Sequence, residues 1–325
     1  MRVLTIYPNC SLGGMATVYR NRARSSPNDE HWFIFLFDRG GLLSYANIEN
    51  ATVRIIPHNR IKWFLRFITK NIHFDEIRIT SLPEQIKDIE PFFTPRIIYE
   101  FHAPEPEVIS KELAQLDCSI LNGIYVPTES QKKVVLGLLD TKFSSLVNVV
   151  PNLLDLDIFN DTSNFSPDFF FGEKIIPLVW VGRFDARKNP RDFLRILSIL
   201  PECFIGIFVT SNEYDTTKLS SFLAEAYAYQ VQDRVRFFMN INPTQMAMLF
   251  KSVALNGGCC CSTALDESYG YTIIEAINCG LQTIAYEIGA ITEHSGENLH
   301  FIDIGDIYNF AHSIRKLTEQ TFDHL

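Results

Sequence analysis

Short runs of β-branched and aromatic residues alternate along the whole chain with segments whose apolar positions recur at helical spacing. That rhythm is the signature of parallel sheets covered by helices on both faces. In the first half it predicts strands at 2–7 (RVLTIY), 31–37 (HWFIFLF), 51–57, 76–80, 96–101 (RIIYEF) and 123–127, with helices between most of them. The pattern restarts in the second half, with strands predicted at 175–181 (IIPLVWV), 203–209 (CFIGIFV), 235–239, 253–261, 282–286 and 299–303, and a helix at about 306–320. Between the halves lies PNLLDLDIFNDTSNFSPDFFFGEK, rich in Pro, Asn, Asp and Ser, which reads as a linker. The expected organisation is two Rossmann-like, doubly wound α/β domains, 1–152 and 174–325, joined by a linker at 153–173, with no internal sequence repeat. Such sheets bind ligands beyond the carboxyl ends of their strands, so the chemistry is to be sought just after strands.

Composition narrows the function classes. A length of 325 residues suits two domains at roughly 100–200 residues each, and 46% hydrophobic residues supply ample core and leave no ground for disorder. With 29 Lys and Arg against 38 Asp and Glu, the net charge of -9 argues against a general nucleic-acid binder, whose affinity comes from neutralising phosphates. The seven cysteines are odd in number and lack C-x-x-C spacing, so neither a disulfide framework nor a zinc site is suggested, and a reducing cytoplasm fits. The opening MRVLTIYP has no signal-peptide form, and no apolar run approaches the ~18–20 residues of a membrane span. Contact with a membrane is therefore expected only from its surface, at the inner face. Segment 59–71, NRIKWFLRFITKN, puts Lys62, Arg66 and Lys70 on one stripe beside Trp63, Phe64 and Phe67. This is the composition of an interfacial helix, and also that of a surface helix packing its apolar face on the sheet.

Three segments carry chemistry-bearing residues. The first loop ends in Gly13-Gly14 and opens a helix at about Met15, where bare backbone and helix-terminal amides suit an anion, although a plain turn has the same composition. After the strand ending at Val181, GRFDARKNP places Arg183 and Lys188 before a helix that Pro190 helps to start. Two converging cations suit a diphosphate. A solvated loop paired to Asp185 and Asp192 is the plainer reading. In DESYGYTIIEAINCG, Glu267 lies in a loop, Gly270 marks a helix start and Glu275 follows in the second turn, so two carboxylates flank a helix N-terminus. Carboxylates pair with vicinal sugar hydroxyls, while a capping acid and a satisfied buried acid also fit this spacing.

Taken together these segments resemble the retaining GT-B glycosyltransferases of family 4, the glycogen-synthase-like group. The resemblance runs through Gly13-Gly14, EFHAP with His102, IYVPTESQKKVVL, VVPNLLDLDIF, VGRFDARKNP, VRFFMNINPTQMAMLF, the E-x7-E element from Glu267 to Glu275, and EAINCGLQTIAYEIGAITE. It implies a nucleotide-sugar donor, with UDP favoured and GDP next, and a glycan, lipid-linked or other hydroxyl acceptor. By the same resemblance Arg183 and Lys188, in the loop begun by Gly182, hold the diphosphate with help from the Gly14 amide. Glu275 binds ribose, Glu267 contacts the donor sugar, and the amides of Gly270, Tyr271 and Thr272 hold sugar and phosphate oxygens. His102 lies near the reacting centre, and the base rests near Met239, Asn240 and Ile241. No cofactor or metal is implied. Asp155-Leu156-Asp157 has an Asp-x-Asp form but lies in the linker, and the alternating side chains of Cys259-Cys260-Cys261 read as packing.

The chain departs from the family at Glu267-Ser268-Tyr269-Gly270, often Glu-Gly-Phe-Gly, and at Leu153, usually a glycine. It also ends soon after the helix at 306–320, short of the family's usual returning tail, so either a looser interdomain closure or a trimmed chain is expected. Two rivals remain: a sugar-nucleotide epimerase on the same fold, and a non-catalytic partner subunit.

Overall fold

A computed structural model describes residues 1–90, 94–161, 169, 175–210 and 216–319. The chain forms two units, Met1–Leu153 and Leu154–Leu325. In the first, the elements run β1 (Arg2–Cys10), α1 (Gly14–Ser25), β2 (Glu30–Asp38), β3 (Ala51–Ile55), α2 (His58–Asn71), β4 (Glu76–Thr80), β5 (Arg96–Glu100), α3 (Pro106–Leu113), β6 (Gly123–Val126), α4 (Glu129–Leu138) and β7 (Val147–Val149). All strands pair in parallel in the order β3-β2-β1-β4-β5-β6-β7. Alternation along β1 and β2 sends Leu4, Ile6, Ile34 and Leu36 into a core with Ile61 and Leu65 of α2. On α1, Tyr19 lies against the rings of Phe33 and Phe35. Burial on both faces explains the near-continuous apolar runs.

The second unit continues with β8 (Ile176–Val181), α5 (Pro190–Ile199), β9 (Phe204–Thr210), α6 (Thr216–Ala228), β10 (Val235–Met239), α7 (Pro243–Leu255), β11 (Cys259–Ser262), α8 (Tyr271–Asn278), β12 (Thr283–Tyr286), β13 (Leu299–Ile302) and α9 (Ile307–Leu317). Its parallel order β10-β9-β8-β11-β12-β13 is that of a dinucleotide-binding sheet, whose topological switch falls between β8 and β11. The loops after those two strands flank the position at which such sheets bind ligands. Trp180, Phe193 and Phe208 share one core with Cys259 and Cys261, and Val179, Ile207, Phe250 and Cys260 share the other, so the cysteine run alternates between two packed faces.

Three boundaries differ from expectation. The strand predicted at 253–261 is shorter: Val253, Ala254 and Leu255 close α7, and Asn256-Gly257-Gly258 turns into β11. A Cβ on Gly258 would lie 1.9 Å from the Pro177 carbonyl oxygen, so the chain re-enters the sheet at a point where only glycine fits. A seventh strand, β7, forms in the first unit just before the expected linker. Within that expected linker, residues 162–168 and 170–173 lie outside the described residues, as does residue 174, while Leu154, Ile158 and Phe159 pack on the second unit's core. Residue 320 of the expected last helix is also outside them.

Candidate functional site

The loop after β8 is braced at several points. Phe184 stacks on Trp180 at 5.9 Å and on Phe222 at 4.5 Å, anchoring the start of the loop. A Cβ on Gly182 would come within 2.9 Å of the Trp180 ring and 3.1 Å of Lys188 Cγ, so the bare backbone makes room for the lysine stem. Asp185 accepts from the Lys188 amide at 2.9 Å and pairs with Arg183 Nε at 3.1 Å. Asn189 takes a left-handed conformation (φ 50°), and its side-chain amide donates to Asp192, which also receives the Tyr286 hydroxyl at 3.0 Å. These bonds fix the turn into α5.

The same loop is tied to the one after β11. The Leu265 amide donates to the Arg187 carbonyl at 2.8 Å, and the Thr263 hydroxyl donates to the Asn189 carbonyl at 2.7 Å. Lys188 and Glu267 form an ion pair, and Arg187 Nη1 reaches Glu267 Oε2 at 3.4 Å and the Asp266 carbonyl at 3.2 Å. The structure thus brings Lys188 and Glu267 together at the switch point. Arg183 instead pairs with Asp185, so the two cations expected to converge each hold an acid. Arg187, between them in sequence, is absent from the expected set, and its place next to Lys188 was the only sequence signal.

Helix α8 starts from Gly270 at φ 82°, where a Cβ would lie 3.3 Å from Ile291, so the N-cap residue has no side chain of its own. The Tyr271 and Thr272 amides belong to its first turn. His294 Nε2 donates to the Tyr269 carbonyl, and the two rings meet edge-on at 5.0 Å, which pins the loop carrying Glu267. Glu275 sits half-buried in the second turn of α8. Burial pushes the Cys260 thiol up, Cys259 and Glu275 add to this, and Lys188 opposes it. Met239 is exposed at the end of β10, Asn240 follows at φ 55°, and Ile241 packs on the core ahead of a capping box made by Asn242 and Gln245.

In the first unit, Gly13 caps α1 and its amide donates to Ser11 Oγ at 3.2 Å, with Gly13 and Gly14 both exposed. The turn is backed by Gly41, whose Cβ would fall 2.4 Å from the Ser11 carbonyl oxygen. Sequence reasoning missed Gly41, although its pair with Gly40 after the second strand was visible. His102 follows β5 with its Nε2 3.6 Å from Glu100 Oε2. Glu100 receives Arg22 Nη1 on both oxygens at 2.8 and 2.9 Å. Burial raises the Glu100 carboxyl, but Arg22, His102 and Arg78 outweigh it and hold it well below the usual range.

Helix α2 buries Ile61, Leu65 and Ile68, yet leaves Trp63 70% and Phe67 65% exposed. Arg66 is paired with Asp88 at 3.4 Å and Glu90 at 3.1 Å, so the expected stripe loses that charge; the exposed cations are Arg60, Lys62 and Lys70. Among the described residues no helix is long and apolar enough to cross a membrane, and no group of three or more His, Cys, Asp or Glu could hold a metal ion.

Two Rossmann-like units of this kind make the GT-B architecture. HepE of Anabaena, in complex with UDP and glucose, superposes with a TM-score of 0.82 at 13% identity, over 99% of this chain and 90% of that one. Sucrose-phosphate synthase from Thermosynechococcus elongatus does so with a TM-score of 0.74 at 14% identity, over 99% and 90%. One subunit of the human phosphatidylinositol N-acetylglucosaminyltransferase is 26% identical over 212 residues, 65% of this chain; the chain spans 41% of that relative's length. Residues 162–324 match the family Glycosyl transferases group 1, and the chain belongs to that family.

Proposed function

We propose that the protein is a retaining glycosyltransferase of family 4 that moves a hexosyl group from a UDP-sugar to a hydroxyl on a glycan or lipid-linked acceptor. The observation that carries this reading is the cluster at the β8/β11 switch, where Lys188, Arg187 and Glu267 meet ahead of the start of α8. Cations and helix-terminal amides are what a diphosphate leaving group needs, because they are oriented before charge develops on it. In this reading Arg183 and Lys188 hold the diphosphate, Glu267 meets the donor sugar, Glu275 the ribose, and the Met239–Ile241 turn the base. The first unit takes the acceptor, with His102 near the reacting centre, and the Gly13-Gly14 turn serves the donor diphosphate through the Gly14 amide.

The UDP complex of HepE and the lipid named in the human relative favour this donor and a membrane-borne acceptor. Helix α2 fits such an acceptor's surroundings, since exposed Trp63 and Phe67 are flanked by Arg60, Lys62 and Lys70. The retention of a full cation and carboxylate set speaks against a non-catalytic subunit, and an acceptor-dependent product would exclude an epimerase. Thermal unfolding with a panel of sugar nucleotides tests the donor. At a hundredfold excess over Kd the true donor stabilises the fold by about 2.7 kcal/mol. If neither UDP- nor GDP-sugars shift the transition, the reading fails.

A further inference from the structure

We propose that Glu100, which has no role above, is a positioning residue that holds His102 with its proton on Nε2 and leaves Nδ1 as the proton acceptor of the ring. The inference rests on the reading of His102 as a group near the reacting hydroxyl, but its structural half stands apart from that reading.

Glu100 ends β5 and is fully buried, at 0% exposure. A buried carboxylate stays charged only when paired and hydrogen-bonded, and this one has Arg22 on both oxygens, Thr80 Oγ1 at 3.4 Å on Oε2 and Arg78 Nη1 at 3.8 Å on Oε1. Thr80 is itself held by the buried Tyr19 hydroxyl at 3.0 Å. The oxygen that Thr80 touches is Oε2, the one 3.6 Å from His102 Nε2. An anion fixed at that distance attracts an N–H and repels a ring lone pair, so the neutral ring places its proton on Nε2.

The ring is held from its other neighbours too. Its side chain is only 8% exposed. One residue on, the Ala103 carbonyl accepts from the Gln131 side chain of α4 at 2.6 Å, which fixes the backbone leaving His102. The separation of 3.6 Å exceeds a hydrogen bond. Such contacts are often long before substrate binds and tighten in the complex. With Nε2–H directed at Glu100, Nδ1 carries the lone pair and suits the hydroxyl of an acceptor, which has a proton to give, over a phosphate oxygen, which has none.

The test is the nitrogen NMR spectrum of the His102 ring in the ligand-free protein at a pH where the ring is neutral. The wild type is expected to show the Nε2–H tautomer, and a predominant Nδ1–H tautomer would overturn the proposal whatever the activity. In E100Q, whose amide both donates and accepts, the preference should fall toward a mixture and kcat should drop tenfold or more with little change in donor KM. An unchanged tautomer in folded E100Q would also overturn it. If H102Q keeps full activity, the reading of His102 at the reacting centre fails, while the tautomer result still decides the role of Glu100.

Discussion

At the residue scale the cation proposed to hold the diphosphate is stored on an acid. Lys188 is paired with Glu267, so a diphosphate that takes Lys188 must draw it away, and Arg187 then remains as the countercharge that keeps Glu267 in place. Lys188→Ala should cost about 1.5–3 kcal/mol as a lost charge-assisted hydrogen bond. That is roughly tenfold to a hundredfold or more in kcat/KM. Arg187→Gln should leave UDP affinity nearly intact and weaken UDP-sugar binding, since Glu267 faces the sugar in the proposed arrangement. Calorimetry with both ligands separates the cases, and equal losses would return Arg187 to a purely structural role. Lys188 and Glu267 were legible because each stands in a loop just past a strand. Arg187 was not, because its role comes from a cross-loop geometry that binds its carbonyl to Leu265 and its guanidinium to Asp266. Gly41 was hidden for the same reason: its demand for bare backbone arises from Ser11, 30 positions away along the chain.

At the scale of elements, strands buried on both faces announced themselves as unbroken β-branched runs, and both parallel sheets followed from them. The reading slipped at 253–261, where the apolar end of α7 runs almost directly into Cys259-Cys260-Cys261 and periodicity has only the two glycines to mark the change. Helix α2 was legible as amphipathic, but sequence could not show that Arg66 is neutralised by Asp88 and Glu90, which arrive from a later turn. This changes the expected membrane behaviour. Binding to vesicles containing anionic lipid should be salt-sensitive and depend on Arg60, Lys62 and Lys70, each worth ~1 kcal/mol near such a surface. Trp63→Ser with Phe67→Ser should weaken it at all salt concentrations, because apolar burial is not screened. Arg66→Gln should affect stability more than vesicle binding. Wild-type protein that stays unbound at low salt would end the idea.

For the molecule as a whole, a net charge of -9 means that its long-range field repels a nucleotide diphosphate, so donor capture depends on short-range groups. In the proposed arrangement these are Arg183, Lys188 and the start of α8 in the second unit, whose dipole puts about half a positive charge at its N-terminus. Because the backbone that carries Lys188 is bonded into the loops after β8 and β11, little further reorganisation is needed as the leaving group gains charge, once the diphosphate has drawn Lys188 from Glu267. Transfer is therefore expected to run without a divalent metal. In excess EDTA the wild type should retain its turnover, and Lys188→Ala should be slow with or without added magnesium. Loss of wild-type activity in EDTA, with recovery on adding magnesium or manganese, would transfer to a metal the neutralisation expected of Lys188. Recovery of Lys188→Ala by magnesium alone would show instead that a metal can occupy the place of the ammonium, and that the lysine supplies charge without a required geometry.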